Sequence, residues 1–151
     1  SDVYKRQAKG LSVIQGDADK DLSLYPEKSF EYVILSQTIQ ATLEPKKILY
    51  ELTRIGEKVI VSIPNFGFWK VRLDLLFKGK MPITRKLNST WFDTDNIHLC
   101  TILDFLELCD QLNLKVKQTV TITSKKQKKF SGKPSIKENI FAEEAIFLIQ
   151  H

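Results

Sequence analysis

Three nearly continuous runs of apolar residues stand out in the first part of the chain, at residues 11–14, 30–35 and 59–63. They do not alternate strictly with polar residues, as a half-exposed strand would. Runs of this kind are typical of strands buried on both faces of a parallel sheet. The pattern therefore predicts three such strands, the last of which is closed by Pro64.

Helical spacing separates the second run from the third. Pro45 suits the first position of a helix, and Gly56 is placed to end it. Between them the apolar residues recur at i, i+1, i+4 and i+7, which makes one stripe along a helix. The stripe consists of Ile48, Leu49, Leu52 and Ile55. The sequence predicts a helix that packs this face against the sheet.

A second helix is predicted after residues 66–67, and it is expected to stop near Gly79. Residues 78–97 then form a long connection without helical or strand periodicity, and loops of that length are often functional. The residues of the second helix expected to point inward are Val71, Leu75 and Leu76.

A third helix and two strands are predicted in the last third of the chain. Thr101 suits the N-cap, with Asp104 three residues on, in a variant of the capping box. Apolar residues alternate with polar ones at 116–122, and a short apolar run occupies 145–149. The inward face of the helix is expected to hold Phe105, Leu108, Cys109 and Leu112.

Charge and composition narrow the function classes. The net charge is +5, but residues 115–137 hold eight lysines and no acid, so the other residues sum to −3. Only Phe130 interleaves this segment as a base-stacking aromatic, which favours a solvated hairpin loop over a nucleic-acid surface. The apolar runs are too short to cross a bilayer. Two cysteines form no disulfide framework, and together these features predict a cytoplasmic, single-domain protein without membrane or nucleic-acid partners.

Several short motifs resemble the family of the methionine biosynthesis protein MetW. They read GDAD at 16–19, ILSQT at 34–38, PNFGFW at 64–69, GKMP at 79–82 and, in one stretch, WFDT and NIHLCT between 91 and 101. The resemblance extends from about residue 9 to 151. It implies an α/β, Rossmann-like fold of the S-adenosylmethionine-dependent methyltransferase class, with a mostly parallel sheet that closes on a C-terminal antiparallel hairpin.

The resemblance also implies that part of the fold is missing. Residues 1–7 are expected to be a non-native leader, and 8–151 a partial domain without the family's first strands and glycine-rich turn. That turn lets the backbone approach the cofactor closely. This chain is therefore expected to bind S-adenosylmethionine poorly and to be inactive as a methyltransferase.

What remains of the cofactor site can be assigned by the same resemblance. Asp17 would accept a hydrogen bond from the adenine amino group, and the backbone of Ala18 would face the ring. Ser36 and Gln37 would lie near the methionine moiety. All four positions follow strands, and open α/β sheets bind ligands beyond the carboxyl ends of their strands.

A second group of candidates follows the third strand. Asn65 is placed to bond a substrate or to cap the next helix, and Phe66 and Trp69 to wall a pocket. Arg72 would hold a carboxylate with its planar guanidinium. The alternative is that the aromatics pack the helix on the sheet while Arg72 is solvated. We expect substrate or partner binding from the group as a whole.

Asn96 and His98 are candidates for a substrate or partner surface, with ordering of the loop as the alternative. No metal site is predicted, because His98, Cys100 and Cys109 are only three ligands and Cys109 lies on an apolar helix face. No catalytic residue can be named.

Two functions follow from the resemblance. The first is an accessory of homoserine O-acyltransferase in methionine biosynthesis. The second is an S-adenosylmethionine-dependent methyltransferase acting on a small molecule, with His98 as a weak candidate base.

Overall fold

The computed structural model describes residues 18–124 and 126–151. The strand expected at 11–14, the leader expected at 1–7 and Asp17 lie outside the described residues. The partial domain expected at 8–151 and its missing first strands therefore stay predictions.

Five strands form one sheet in the order β1-β2-β5-β3-β4. Their bounds are β1 Phe30–Ser36, β2 Gly56–Pro64, β3 Lys115–Thr123, β4 Lys126–Ser131 and β5 Glu144–Gln150. The runs at 30–35, 59–63, 116–122 and 145–149 are thus confirmed as strands.

The expected mostly parallel sheet is wrong, because the sheet is mixed. Among the strands that the structure describes, only β1 and β2 run parallel, whereas β2–β5, β5–β3 and β3–β4 are antiparallel pairs. The reason is that β5 inserts between β2 and β3 and runs against both. The apolar runs of β2 and β5 indicated burial on both faces, but burial does not report direction.

Within the described residues, five helices accompany the sheet. They are α1 Ala18–Asp21, α2 Pro45–Ile55, α3 Trp69–Lys78, α4 Ile102–Gln111 and α5 Ile136–Phe141, with short 3-10 turns at Leu22–Leu24 and Ile39–Ala41. Within residues 18–124 and 126–151, no helix has the length and apolar character needed to cross a membrane.

The α2 helix follows the predicted pattern. Pro45 occupies its first turn, and all four residues of the apolar stripe are buried. Gly56 ends the helix and is also the first residue of β2, with an extended backbone. A Cβ at Gly56 would lie 2.6 Å from Val33 Cγ2 and 3.2 Å from the Leu52 carbonyl oxygen. The helix, β1 and β2 therefore meet at a point where only glycine fits.

The α3 helix agrees with the prediction in its end but not in its face. It ends at Gly79, which has φ +60° and the left-handed conformation that glycine favours. Val71 is buried, but Leu75 and Leu76 are 38% and 74% exposed, so their predicted inward orientation is wrong. Only the first half of α3 lies against the domain, and the last turn projects into solvent.

The α4 helix confirms the predicted cap. The Thr101 hydroxyl accepts from the Asp104 amide, and the Asp104 carboxylate accepts from the Thr101 amide. Phe105 from this helix stacks on Phe147 from β5, with ring centroids 4.5 Å apart. This pair sits in the apolar core between α2, α4 and the sheet.

The lysine-rich segment, which is predicted as a solvated hairpin loop, contains regular secondary structure. It contains β4, which pairs with β3 so that Thr121 faces Lys128, and then α5. The side chains of β4 are nearly all exposed, so the strand shows no apolar alternation in the sequence. Lysines on such an edge discourage pairing with another chain. The predicted antiparallel contact of β3 with the last strand is confirmed.

Candidate functional site

The carboxyl ends of β1 and β2 lie side by side because these two strands are parallel. Gln37 follows β1 directly and has φ +48°, which turns the chain across the edge. Its amide donates to Ser62 twice, to the carbonyl oxygen and to Oγ, each at 3.0 Å. The Ser36 and Ser62 hydroxyls are 3.4 Å apart. Two of the predicted cofactor residues therefore lie together at this rim.

Glu144 joins the rim from the opposite direction, since β5 is antiparallel and begins where β2 ends. Its side chain is buried, and its carboxylate accepts from Gln37 Nε2 at 2.5 Å. Lys86 from the long loop forms an ion pair with the same carboxylate. The buried charge is thus compensated from two sides. The sequence showed only a glutamate ahead of an apolar run, and the strand direction needed to place it was not available.

Gln40 connects the rim to the long loop. It lies in the 3-10 turn after β1, and its Nε2 donates to the Gln37 carbonyl oxygen at 2.9 Å. Its own carbonyl oxygen accepts from the amides of Ile97 and His98, at 3.1 and 2.9 Å. Its Oε1 is buried and has no hydrogen-bond partner within the described part of the chain. A buried acceptor left in this state costs about 1–3 kcal/mol, so the atom is suited to accept from a ligand or a water.

An open cleft of about 370 Å³ lies over this rim. Its polar wall includes Gln37, Gln40, Lys86, Asn88, Thr94 and Asn96. Beneath it is a void of about 10 Å³, bounded by Gln40, Phe66 and His98 among others. Amides and hydroxyls dominate the cleft, which therefore offers hydrogen bonds to a small polar ligand.

Asn65 lies behind the cleft and is fully hydrogen-bonded to backbone groups. Its Nδ2 donates to the carbonyl oxygens of Asn139 and Ala142 at 2.9 and 2.8 Å. Its Oδ1 accepts from the amides of Gly67 and Ile102 at 3.0 and 3.2 Å. The side chain is 2% exposed and does not cap the next helix, because the N-terminus of α3 has no side-chain cap; it bonds instead to the first amide of α4 and to the end of α5.

The other candidates after β2 are dispersed. Phe66 is partly buried and borders the small void. Trp69 is 43% exposed and packs edge-to-face on Phe68, with centroids 5.6 Å apart. Arg72 donates from Nε to the Gly67 carbonyl oxygen at 2.6 Å. Neither Trp69 nor Arg72 is part of the cleft wall.

The candidates on the long loop lie on the cleft or directly below it. Asn96 borders both cavities, and its amide donates to Thr94 Oγ1 at 3.1 Å. His98 borders the lower void, where its amide is held by Gln40. Ala18 begins α1, and the contacts of its side chain lie outside the described residues.

The cysteines do not offer a nucleophile at neutral pH. Burial raises the pKa of the Cys100 thiol to about 11 and that of Cys109 to about 12, so both stay protonated. Among the side chains that the structure describes, no group of three or more His, Cys, Asp or Glu residues is arranged to hold a metal ion.

The residues at this rim can be compared with the amino-acid end of S-adenosylmethionine. The unpartnered Gln40 Oε1 and the cleft above it fit a positively charged amine such as the one on the methionine moiety.

A model of the family described as methionine biosynthesis protein MetW matches residues 1–149. The chain belongs to the MetW family. One relative, the bifunctional methionine biosynthesis protein MetXA/MetW of Rhodopirellula baltica, is 32% identical over 113 residues, which is 74% of this chain. The chain spans 18% of that protein's length.

Solved structures similar to this MetW chain confirm the methyltransferase-like fold. A SAM-dependent methyltransferase of Archaeoglobus fulgidus has a TM-score of 0.63 at 13% identity, with 99% of this chain and 72% of that chain covered. One from Thermotoga maritima has a TM-score of 0.61 at 15% identity, over 95% of this chain and 65% of that chain. At such identities the likeness establishes the fold alone.

Proposed function

We propose that this MetW chain supports homoserine O-acyltransferase in methionine biosynthesis by binding to it without covalent chemistry. The observation that carries the proposal is the relative whose name joins MetXA and MetW in one bifunctional protein. We take its MetXA part to be the acyltransferase that the family resemblance implies. Fusion of two functions in one chain favours partners that work in contact, because the linker raises their effective concentration.

The chemistry of the described residues supports a non-covalent role. Both thiols are protonated at neutral pH, and the buried Glu144 is already held by Gln37 and Lys86.

Co-expression tests this proposal directly. The full-length protein and the acyltransferase from the same organism are produced together and separately, and acyl transfer to homoserine is measured in each case. We expect the two proteins to co-purify and the acyltransferase to be more active in the pair. Unchanged activity together with separate elution would refute the accessory role.

A second candidate function is binding of S-adenosylmethionine, and one specific observation favours it. Gln40, whose buried Oε1 has no hydrogen-bond partner in the described part of the chain, borders the cleft at the carboxyl ends of β1 and β2, the edge where open α/β sheets bind ligands. When bound, the cofactor would supply an activated methyl group. Gln37 and Gln40 would hold its amino-acid end, and Asp17 its adenine.

Calorimetric titration of S-adenosylmethionine into the full-length protein tests this second candidate. Asp17→Ala is expected to weaken binding about tenfold, since one hydrogen bond to a charged group contributes roughly 1.5–3 kcal/mol. Asp21→Ala, in the same segment, serves as the matched control. Equal affinities for wild type and Asp17→Ala would remove Asp17 from the site.

A further inference from the structure

The long loop after α3 presents a second concave surface, separate from the polar cleft. This surface, the loop groove, has a volume of about 490 Å³ and is lined mainly by residues 79–83 and 90–92. Its large apolar side chains are open to solvent. The exposed fractions are 72% for Trp91, 67% for Phe92, 58% for Ile83 and 41% for Met81.

The last turn of α3 extends the apolar surface up to the groove. Leu76 and Phe77 are 74% and 78% exposed, and the chain enters the groove two residues later at Gly79. A large side chain buries roughly 150–250 Å² when it is covered, so Leu76, Phe77, Trp91 and Phe92 leave on the order of 500 Å² of apolar area in water. A stable interface covers about 800 Å² on each partner, which this surface and a polar rim would supply.

The loop groove is held in shape by one aromatic contact and by polar contacts next to it. Trp91 and Phe92 pack edge-to-face with centroids 5.6 Å apart. The turn beneath them is closed by Thr90 Oγ1 donating to Asp93 Oδ2 at 2.8 Å. Farther along, Arg85 forms a 2.6 Å ion pair with Glu143 on the sheet side. A surface fixed before binding loses less conformational entropy when a partner arrives.

The charge around the groove selects the kind of partner. Residues 78–92 contain four basic residues, and three of them are ion-paired: Lys78 with Asp74, Arg85 with Glu143 and Lys86 with Glu144. Lys80 borders the groove and has no ion-pair partner among residues 18–124 and 126–151. The unpaired Lys80 ammonium therefore favours a partner with an acidic group opposite it. The fitting partner surface is apolar at its centre and acidic at its rim.

We propose that the loop groove is the surface by which this MetW chain docks homoserine O-acyltransferase. This inference rests on the proposed accessory function, and it adds the location and chemistry of the contact. The aromatic pair Trp91 and Phe92 forms the centre, where binding energy concentrates in interfaces, and Lys80 faces an acidic group at the rim.

The test measures binding of the acyltransferase to the full-length protein by calorimetry. The double variant Trp91→Ala/Phe92→Ala is expected to weaken binding by about a hundredfold, because central aromatics dominate interface energies. Lys80→Glu is expected to weaken it several-fold, and less so at high salt. Ile136→Ala is the matched control, because Ile136 is 71% exposed on α5, outside the groove. Thermal melts confirm that each variant is folded.

The outcomes separate the two proposals. If wild type does not bind the acyltransferase, the accessory function fails and the groove assignment fails with it. If wild type binds and the double variant binds equally well, the function stands and the groove assignment is overturned. If the double variant instead dissolves a homodimer, the occupant is a second copy and the assignment is again overturned.

Discussion

The polar cleft and the loop groove are built largely from one segment, residues 79–101, yet their chemistry is opposite. In the cleft, amides and hydroxyls face a rim of strand ends, and Glu144 is buried and paired. In the groove, Trp91 and Phe92 are exposed beside Lys80. The difference teaches that a single irregular loop can carry a small-ligand site on its inner side and a protein contact on its outer side.

The largest effect is expected from Asn65→Leu, which should break both regions together. The substitution leaves two backbone amides and two carbonyl oxygens without the amide group that joins β2, α4 and α5. Each unsatisfied group costs about 1–3 kcal/mol, so with four of them the free energy of unfolding should fall by roughly 4 kcal/mol or more. Urea denaturation measures this. Asn88→Leu, an exposed asparagine on the cleft wall, should change stability by less than about 0.5 kcal/mol.

If Asn65→Leu lost no more stability than Asn88→Leu, the hydrogen bonds of Asn65 would not hold these elements together. Asn65 would then be available for the substrate role that the sequence suggested.

The second-largest effect is expected from Gln40→Met, which should alter the polar cleft and leave the loop groove unchanged. Gln40→Met removes the unpartnered Oε1 together with the bond from Nε2 to the Gln37 carbonyl oxygen. Removing the unpartnered acceptor stabilises the fold, whereas losing the hydrogen bond from Nε2 destabilises it. The two effects nearly offset each other, so the free energy of unfolding should change by less than about 1 kcal/mol. S-Adenosylmethionine should bind about tenfold more weakly, while the acyltransferase affinity stays as in wild type.

Gln127→Met on the exposed strand β4 is the control for that experiment. It should leave the free energy of unfolding, the affinity for S-adenosylmethionine and the affinity for the acyltransferase unchanged. A parallel loss of cofactor and acyltransferase binding in Gln40→Met would show that the cleft and the groove are one functional surface.

The smallest effect concerns Cys100, which lies beneath the cleft. Its folded pKa of about 11 is above its ordinary value of 9.0, so the folded state keeps the proton where the unfolded state loses it. Stability from this group is complete below pH 9 and is lost as the pH rises toward 11. The slope is about 1.4 kcal/mol per pH unit at most.

Urea denaturation between pH 8 and 11 compares wild type with Cys100→Ala, which lacks the titrating group. The wild-type curve should fall more steeply with pH, and identical slopes would show that the thiol is not shielded from water.

Features that depend on a few neighbouring residues could be predicted from the sequence. Pro45 at a helix start, Gly79 at a helix end and the Thr101–Asp104 capping box are all where the pattern placed them. The reason is that caps satisfy backbone groups within one turn, so the signal is local.

Features that depend on the direction of distant strands could not be predicted. Glu144 reaches the rim only because β5 runs antiparallel to β2, and no residue near Glu144 reports that direction. Gln40 looked like one polar residue in a turn, and its burial follows from the loop that returns over it. Leu75 and Leu76 have helical spacing, but nothing in the described structure covers the last turn of α3.

Gly56 has a consequence for how the rim is set. Helix α2 passes into β2 at this residue with no linker, and a methyl group of Val33 occupies the space that a side chain would need. A larger residue there would push β1 and β2 apart at the end where Phe30 pairs with Gly56. At the other end of the same two strands, the Gln37 amide donates to Ser62 Oγ. A side chain at position 56 would therefore displace the residues of the rim without contacting them.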